Sequence, residues 1–312
     1  VLSMKKSKKK ILIFGSGRWA KIYINYLKPY SEFIYVYTHD KSLSEKKNSN
    51  PKKFKNIFIT NNEKALKNLM FDKIIIANNT DSHIKSLKKI YKLSKGNISW
   101  LIEKPFSQNI NLRDIYKYSA KKNYLSLQYS FSGYFFFLKK IIKEKSIFSI
   151  TLFWHDKKNE KKNYNKKMFF IEDAYYHFFS ILRFFIPNDC LDLKKACNLS
   201  VNKFKLNYKI NNILTQLLVK KNSNFKKRIL EIKTENGVYK VDFVKLNMVK
   251  IYFQSRLVKK FKKNLLLIKK QILHFVFSNS KINKNSLVNL DVLFKNLVLI
   301  RTKLALNLKI DR

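Results

Sequence analysis

Apolar and polar positions follow two different rhythms along this chain. Up to about residue 130, apolar runs of strand length recur: ILIF (11–14), EFIYVYT (32–38), NIFIT (56–60), KIIIAN (73–78), SWLIEKP (99–105) and YLSLQYS (124–130). They are rich in the β-branched and aromatic residues that suit a pleated, buried surface. Between them, 19–28, 62–70, 83–94 and 111–122 repeat apolar residues every three to four positions, as a helix with one buried face requires. Strands alternating with helices imply right-handed crossovers and a doubly wound parallel sheet.

Beyond residue 130 the rhythm changes. Helical patterns at 136–144 and 171–185 bracket an alternating strand, SIFSITLFW (146–154), and a polar tract (155–167). Strand-like runs follow at 213–219, 228–234 and 238–244, the last two joined by Asn236-Gly237, a strong hairpin turn. Helical patterns at 265–278 and 290–306 finish the chain. The expectation is α/β followed by α+β: a Rossmann-type domain over 1–128 and a mainly antiparallel domain over 129–312, with a C-terminal helix placed to pack back on the first.

The chain has five glycines in 312 residues, and two stand in FGSGRWA, straight after the first strand. A dinucleotide turn needs a glycine for the bend, a second where backbone meets pyrophosphate, and a small residue where helix packs on strand. Gly15, Gly17 and Ala20 have that spacing, and the amides opening the next helix would face the phosphates. An acidic residue about twenty positions on would take the ribose 2′-hydroxyl. Asp40 is the candidate; Thr38, His39 and Lys41 would instead suit a 2′-phosphate, so NAD and NADP both stay open.

Charge alters this picture less than its size suggests. The net charge is +46, a value that prompts a nucleic-acid reading. Yet only seven of the 66 basic residues are Arg, the side chain best shaped to read bases and phosphates, and the 59 lysines are spread along the whole chain. Asn, Ile, Phe and Tyr are plentiful too, the composition an AT-rich genome would encode. Specific nucleic-acid binding is therefore not expected. Cys190 and Cys197 form no CxxC pair, and no His/Cys/Asp/Glu spacing suits a metal. No apolar run reaches membrane-spanning length, and VLSMKKSKKK lacks the apolar core of a signal peptide, so no membrane partner and a cytoplasmic location are expected.

Four landmarks in order, Gly15/Gly17/Ala20, IIIANNTDSH (74–83), EKP (103–105) and DAYYH (173–177), together with the hairpin RILEIKTENGVYKVDF (228–243), resemble the glucose–fructose oxidoreductase and inositol dehydrogenase family (Gfo/Idh/MocA). The resemblance implies NAD or NADP held by Gly15, Ser16, Gly17, Arg18, Trp19, Ala20, Thr38, His39, Asp40, Asn78, Asn79, His83, Glu103 and Lys104. It implies Lys104, Asp173 and His177 as catalytic residues, and a sugar, nucleotide-sugar or cyclitol as substrate. It also implies a homo-oligomer, dimer or tetramer, formed through the C-terminal sheet. The chain departs from the family pattern in placing Ser130 after the aromatic of LQYS, and in KKMFFIEDAYYH, where relatives approach the D-x-x-x-H motif through glycines.

The chemistry fits these residue types. Oxidising an alcohol needs a base within hydrogen-bond reach of the hydroxyl, and His177 has a pKa suited to it. Asp173, four residues earlier, shares its helix face and would orient it or bind a neighbouring hydroxyl. An ammonium at Lys104 would stabilise developing alkoxide charge. His83 reads more simply as a helix-start residue; His39, beyond the cofactor contact, and His155 and His274 read as packing or surface. Reduction of C=N bonds is a variant of this function. Two alternatives are a dinucleotide-binding relative without catalysis, and a basic nucleic-acid-binding protein.

Overall fold

The computed structural model describes residues 8–40, 55–67, 69–94, 99–106, 124–142, 146–157, 170–186, 198–200, 205–210, 212–245, 248–262, 267–277, 293 and 295–302. The helix expected over 111–122, the two cysteines, Lys41 and most of the polar tract lie outside them. The chain divides into two compact units, one of 1–126 with 269–284, the other of 127–268 with 285–312.

The first unit is built on a six-stranded, wholly parallel sheet: β1 (Lys9–Phe14), β2 (Ser31–Tyr37), β3 (Ile57–Thr60), β4 (Lys73–Ile76), β5 (Trp100–Ile102) and β6 (Tyr124–Leu125), in the order β3-β2-β1-β4-β5-β6. The strand order reverses between β1 and β4, and in such sheets ligands bind outside the strand carboxyl ends at that switch point. Ile11, Leu12, Ile13, Ile74, Ile75 and Ile76 are buried, as central parallel strands covered on both faces must be. Helices α1 (Arg18–Leu27) and α2 (His83–Ser94) follow β1 and β4. Helix α1 buries Ala20, Tyr23, Ile24 and Leu27, a single stripe.

Two expected elements shrink. The helix expected over 62–70 is one 3-10 turn, Lys64–Leu66. Asn62 caps the Lys64 amide through Oδ1 at 2.9 Å, and only Leu66 of the turn is buried, so no apolar stripe supports a longer helix. The strand expected to run to residue 130 stops at Leu125: Ser126 still donates to Ile102 O, then Gln128–Phe131 coil into a 3-10 turn.

The second unit carries an eight-stranded sheet of β7 (Ile147–Lys157), β8 (Asn198–Ser200), β9 (Lys205–Ile210), β10 (Ile213–Ser223), β11 (Lys227–Thr234), β12 (Gly237–Asp242), β13 (Met248–Phe253) and β14 (Arg256–Lys262). Their order across the sheet is β14-β13-β12-β11-β7-β10-β9-β8. Every pairing is antiparallel except β7 with β10. Helix α3 (Gly133–Ile141) precedes β7, and α4 (Phe170–Leu182) follows it. On one sheet face Ile150, Leu152 and Trp154 of β7 are buried; on the other, Leu218, Phe153 and Ile229 stand side by side on β10, β7 and β11 and remain half-buried. Helix α5 (Leu267–Phe277) returns the chain to the first unit: Phe275 meets Tyr124 edge-on at 5.6 Å and Phe277 meets Tyr30 at 5.7 Å.

Candidate functional site

In the first unit, the loop after β1 sits at the switch point. Gly15 has φ +108, donates its N–H to Tyr37 O at 2.9 Å, and presses on the loop after β4. A Cβ there would stand 2.8 Å from Ala77 O and from Asn78 N and Cα, so only glycine fits. Gly17 is different. It caps α1 in an ordinary extended conformation (φ −66, ψ −172), and a Cβ on it would meet nothing within 4 Å. The protein itself does not require a glycine at 17; a group lying close to the backbone would.

Helix α1 opens without an acidic residue in its first turn and without a side-chain cap. Its first internal bond runs from Lys21 N–H to Gly17 O at 3.0 Å, which leaves the amides of Arg18, Trp19 and Ala20 at the open end, where an anion is favoured. Ala20 is buried against the sheet; Arg18 is exposed, its guanidinium 5.9 Å from the Trp19 ring. These features fit a dinucleotide pyrophosphate.

The end of β2 is tied to the same loop. Ser16 Oγ donates to Asp40 Oδ2 at 2.8 Å, Thr38 Oγ1 donates to Ser16 Oγ at 3.0 Å, and the Asp40 amide returns to Thr38 Oγ1 at 3.1 Å. Asp40 is thereby carried three residues past the strand back to the glycine loop. His39 turns instead toward Tyr37, ring centroids 5.5 Å apart.

Beyond β4, Asn78 donates from Nδ2 to Ser86 Oγ at 2.8 Å, while its buried Oδ1 has no partner among the described residues. Asn79 is exposed and caps a short 3-10 turn. His83 is buried, Nδ1 2.9 Å from Phe106 O and Nε2 3.0 Å from Asn78 O. It therefore joins the loop after β4 to the residue following Pro105. Burial holds its pKa below the ordinary imidazole value, against the pull of both carbonyls.

Glu103 follows β5 and is buried, 4% exposed, where the Tyr23 hydroxyl of α1 donates to its Oε1. Burial raises its carboxyl above the usual range, opposed by hydrogen bonds from Tyr23, Ser126 and the Lys104 backbone and by the Lys104 charge. Lys104 follows at partial exposure, its peptide to Pro105 cis.

In the second unit, Asp173 and His177 lie one turn apart on α4, 2% and 5% exposed. The His177 ring stacks on Trp154 of β7 at 4.7 Å and 20°, and meets Tyr129 edge-on at 5.0 Å. Arg228 of β11 lies 3.8 Å from the Trp154 ring centroid, forms a buried ion pair with Asp156, and donates to His155 O and Lys227 O. Burial and the Asp173 charge push the Tyr129 hydroxyl far up, with Arg228 opposing. Ser130 Oγ and Trp154 Nε1 are buried without a partner among the described residues. Sequence reading had no hold on Tyr129, Trp154, Arg228 and Asp156, which come from three separate segments. The only local hint was the aromatic of LQYS.

Among the described residues no His, Cys, Asp or Glu group is arranged to hold a metal, and no helix is long and apolar enough to cross a membrane.

No family model matches this sequence, and no curated protein matches it either. Solved structures do match. A Gfo/Idh/MocA family oxidoreductase from Vibrio cholerae aligns with TM-score 0.66 over 96% of this chain and 100% of its own, at 13% identity. The chain has the fold of the Gfo/Idh/MocA oxidoreductases. UDP-N-acetylglucosamine 3-dehydrogenase from Acidithiobacillus ferrooxidans, with the same architecture, aligns with TM-score 0.70 over 96% of this chain and 97% of its own, at 12% identity. The transcriptional regulator Gal80p from Kluyveromyces lactis aligns with TM-score 0.68 over 94% and 88%, at 13% identity. The Gfo/Idh/MocA fold thus serves both an enzyme and a regulator, and the choice here depends on side chains.

Proposed function

We propose that this protein is a nicotinamide-dependent oxidoreductase that transfers a hydride between NAD(P) and a carbon bearing a hydroxyl or carbonyl in a sugar, nucleotide-sugar or cyclitol. The observation that carries the reading is the contrast at the switch point: Gly15 is demanded by the backbone, whereas Gly17 faces open space at an uncapped helix start. Gly15, Ser16, Gly17 and the amides of Arg18, Trp19 and Ala20 would hold the pyrophosphate. Thr38, His39 and Asp40 would meet the adenosine ribose, and Asn78, Asn79, His83, Glu103 and Lys104 would flank the nicotinamide end. The Ser16–Asp40 hydrogen bond supports NAD over NADP, because a carboxylate beside the loop repels a 2′-phosphate.

When bound, the nicotinamide supplies the hydride acceptor or donor. The chain's own residues manage the proton. In the oxidative direction His177 takes the hydroxyl proton as hydride leaves the carbon, and Lys104 stabilises the charge growing on that oxygen. Asp173, on the face of His177, orients it or binds a neighbouring hydroxyl. A second reading, a dinucleotide-binding protein without catalysis, draws on the near-complete burial of His177 against Trp154.

The test is a thermal-shift titration with NADH, NADPH and inorganic pyrophosphate at about 150 mM salt, where loose anion binding to so basic a chain is screened. Saturable stabilisation by NADH beyond pyrophosphate, lost in Gly17→Asp, supports the reading. No preference over pyrophosphate ends it. NADH binding without turnover on a polyol and sugar panel selects the second reading.

A further inference from the structure

His177 lies against a column of side chains drawn from two strands of the second unit. Trp154 of β7 and Arg228 of β11 stand opposite one another in the sheet, and Asp156, two residues along β7, shares their face. The guanidinium lies 3.8 Å from the centre of the indole, and the indole stacks on the His177 ring at 4.7 Å and 20°. Tyr129 stands edge-on to both rings, 5.0 Å from His177 and 6.4 Å from Trp154. A buried tryptophan usually fixes its ring by donating its N–H, yet Nε1 here has no partner among the described residues. Its faces must hold it instead. Arg228 is the part of the column that cannot swing, because its planar fork is bound by the Asp156 carboxylate, His155 O and Lys227 O. A buried ion pair adds little net stability over an apolar pair of the same volume, so a fixed direction is what this one supplies.

We propose that Arg228 and Trp154 are positioning residues for His177: the guanidinium, anchored by Asp156, sets the plane of the indole, and the indole sets the plane of the imidazole. The inference rests on the reading of His177 as the base, and adds the residues that aim it. A helix alone leaves an imidazole free to turn about its outer side-chain torsion, and a base turned away from the hydroxyl takes no proton. The stack removes that freedom, so the ring nitrogens point one way before substrate arrives. An ion pair that only braced this corner of the sheet could be replaced by apolar side chains with the imidazole left where it is.

The test is nuclear magnetic resonance of the full chain, without cofactor, carrying histidine labelled at Cε1. Five histidine signals are expected, and His177→Gln identifies its own by loss. Seated on the Trp154 face, the His177 Cε1 proton is expected upfield of its position in Trp154→Leu, through the ring current of the indole; a wild type without that displacement overturns the proposal. In Arg228→Met/Asp156→Leu the indole is intact but unanchored. There the signal is expected to lose most of the displacement while the urea midpoint stays near the wild-type value. Lys227→Met removes a charge from the same strand, over Phe153 on the other sheet face, and should leave the signal in place. An unchanged His177 signal in the folded double variant overturns the proposal, as does an equal movement in Lys227→Met. Should the double variant not fold, Arg228→Lys, which keeps the charge but not the planar fork, decides in its place: a lost displacement supports the proposal and an unchanged signal overturns it. NADH titration of the wild type separates the two readings: no response to NADH ends the oxidoreductase reading, while the His177 comparison, made without cofactor, stands by itself.

Discussion

Two glycines two positions apart have opposite reasons to exist, and substitution separates them. Gly15→Ala forces a side chain into φ +108 and against backbone atoms 2.8 Å away, and should cost on the order of 3 kcal/mol in urea unfolding. Gly17→Ala should change stability by about 1 kcal/mol or less, since its φ is ordinary and its Cβ unopposed, yet weaken NADH at least tenfold by fluorescence titration. His83 gives a pH prediction. Its folded pKa lies below the ordinary value of 6.5, so the unfolded chain takes the proton first on acidification. The stability tied to neutral His83 is whole above pH 6.5 and drains as pH falls from there toward the lowered folded value. The urea midpoint of the wild type should therefore drop more between about pH 7 and pH 5.5 than that of His83→Asn, which cannot titrate. The reverse order would refute this sign.

At the scale of elements, the legible parts were those set by local chemistry. The glycine turn, the strand alternation, Asn236-Gly237 and the i,i+4 pair Asp173/His177 all announce themselves within a few residues. Tyr23 did not, because an aromatic on a buried helix stripe looks like packing, and its partner Glu103 is 80 positions away. Strand β14, at the edge of its sheet, was missed for a different reason: RLVKKFK carries lysines at positions that an edge tolerates. The helix expected over 62–70 failed because periodicity without a face to bury is only a pattern. The pairing of β7 with β11 shows what long-range register adds, since it sets Arg228 beside Trp154 and next to Asp156. Arg228→Met strands the buried Asp156 carboxylate and should cost roughly 3–5 kcal/mol, with much of the loss recovered in Arg228→Met/Asp156→Leu. Near-UV circular dichroism should report the disturbed Trp154 in the single variant. Equal losses in the single and double variants would show that the pair is not what holds this corner.

The whole molecule sets a large positive charge against an apolar row on the eight-stranded sheet. We propose that Leu218, Phe153 and Ile229 are covered by a second copy in a dimer or tetramer; half-buried apolar residues in adjacent strands suit such a contact. Sedimentation at about 150 mM salt should show the oligomer, and Leu218→Lys should yield folded monomers; a wild type that sediments as a monomer refutes it. The return of α5 to the first unit bears on how the chain is made. Gln271 enters the Ser126 cluster 145 positions after Ser126 itself. At about 5–20 residues per second, a ribosome needs roughly 7–30 s to bridge that gap. During that interval the emerging amino-terminal half has its glycine turn and its sheet, but not the helix that covers Tyr124. The unit built on the parallel sheet, first to be synthesised, is therefore among the last to be complete, and a nascent chain halted before Leu267 should hold on to chaperones that one halted beyond Phe277 has released.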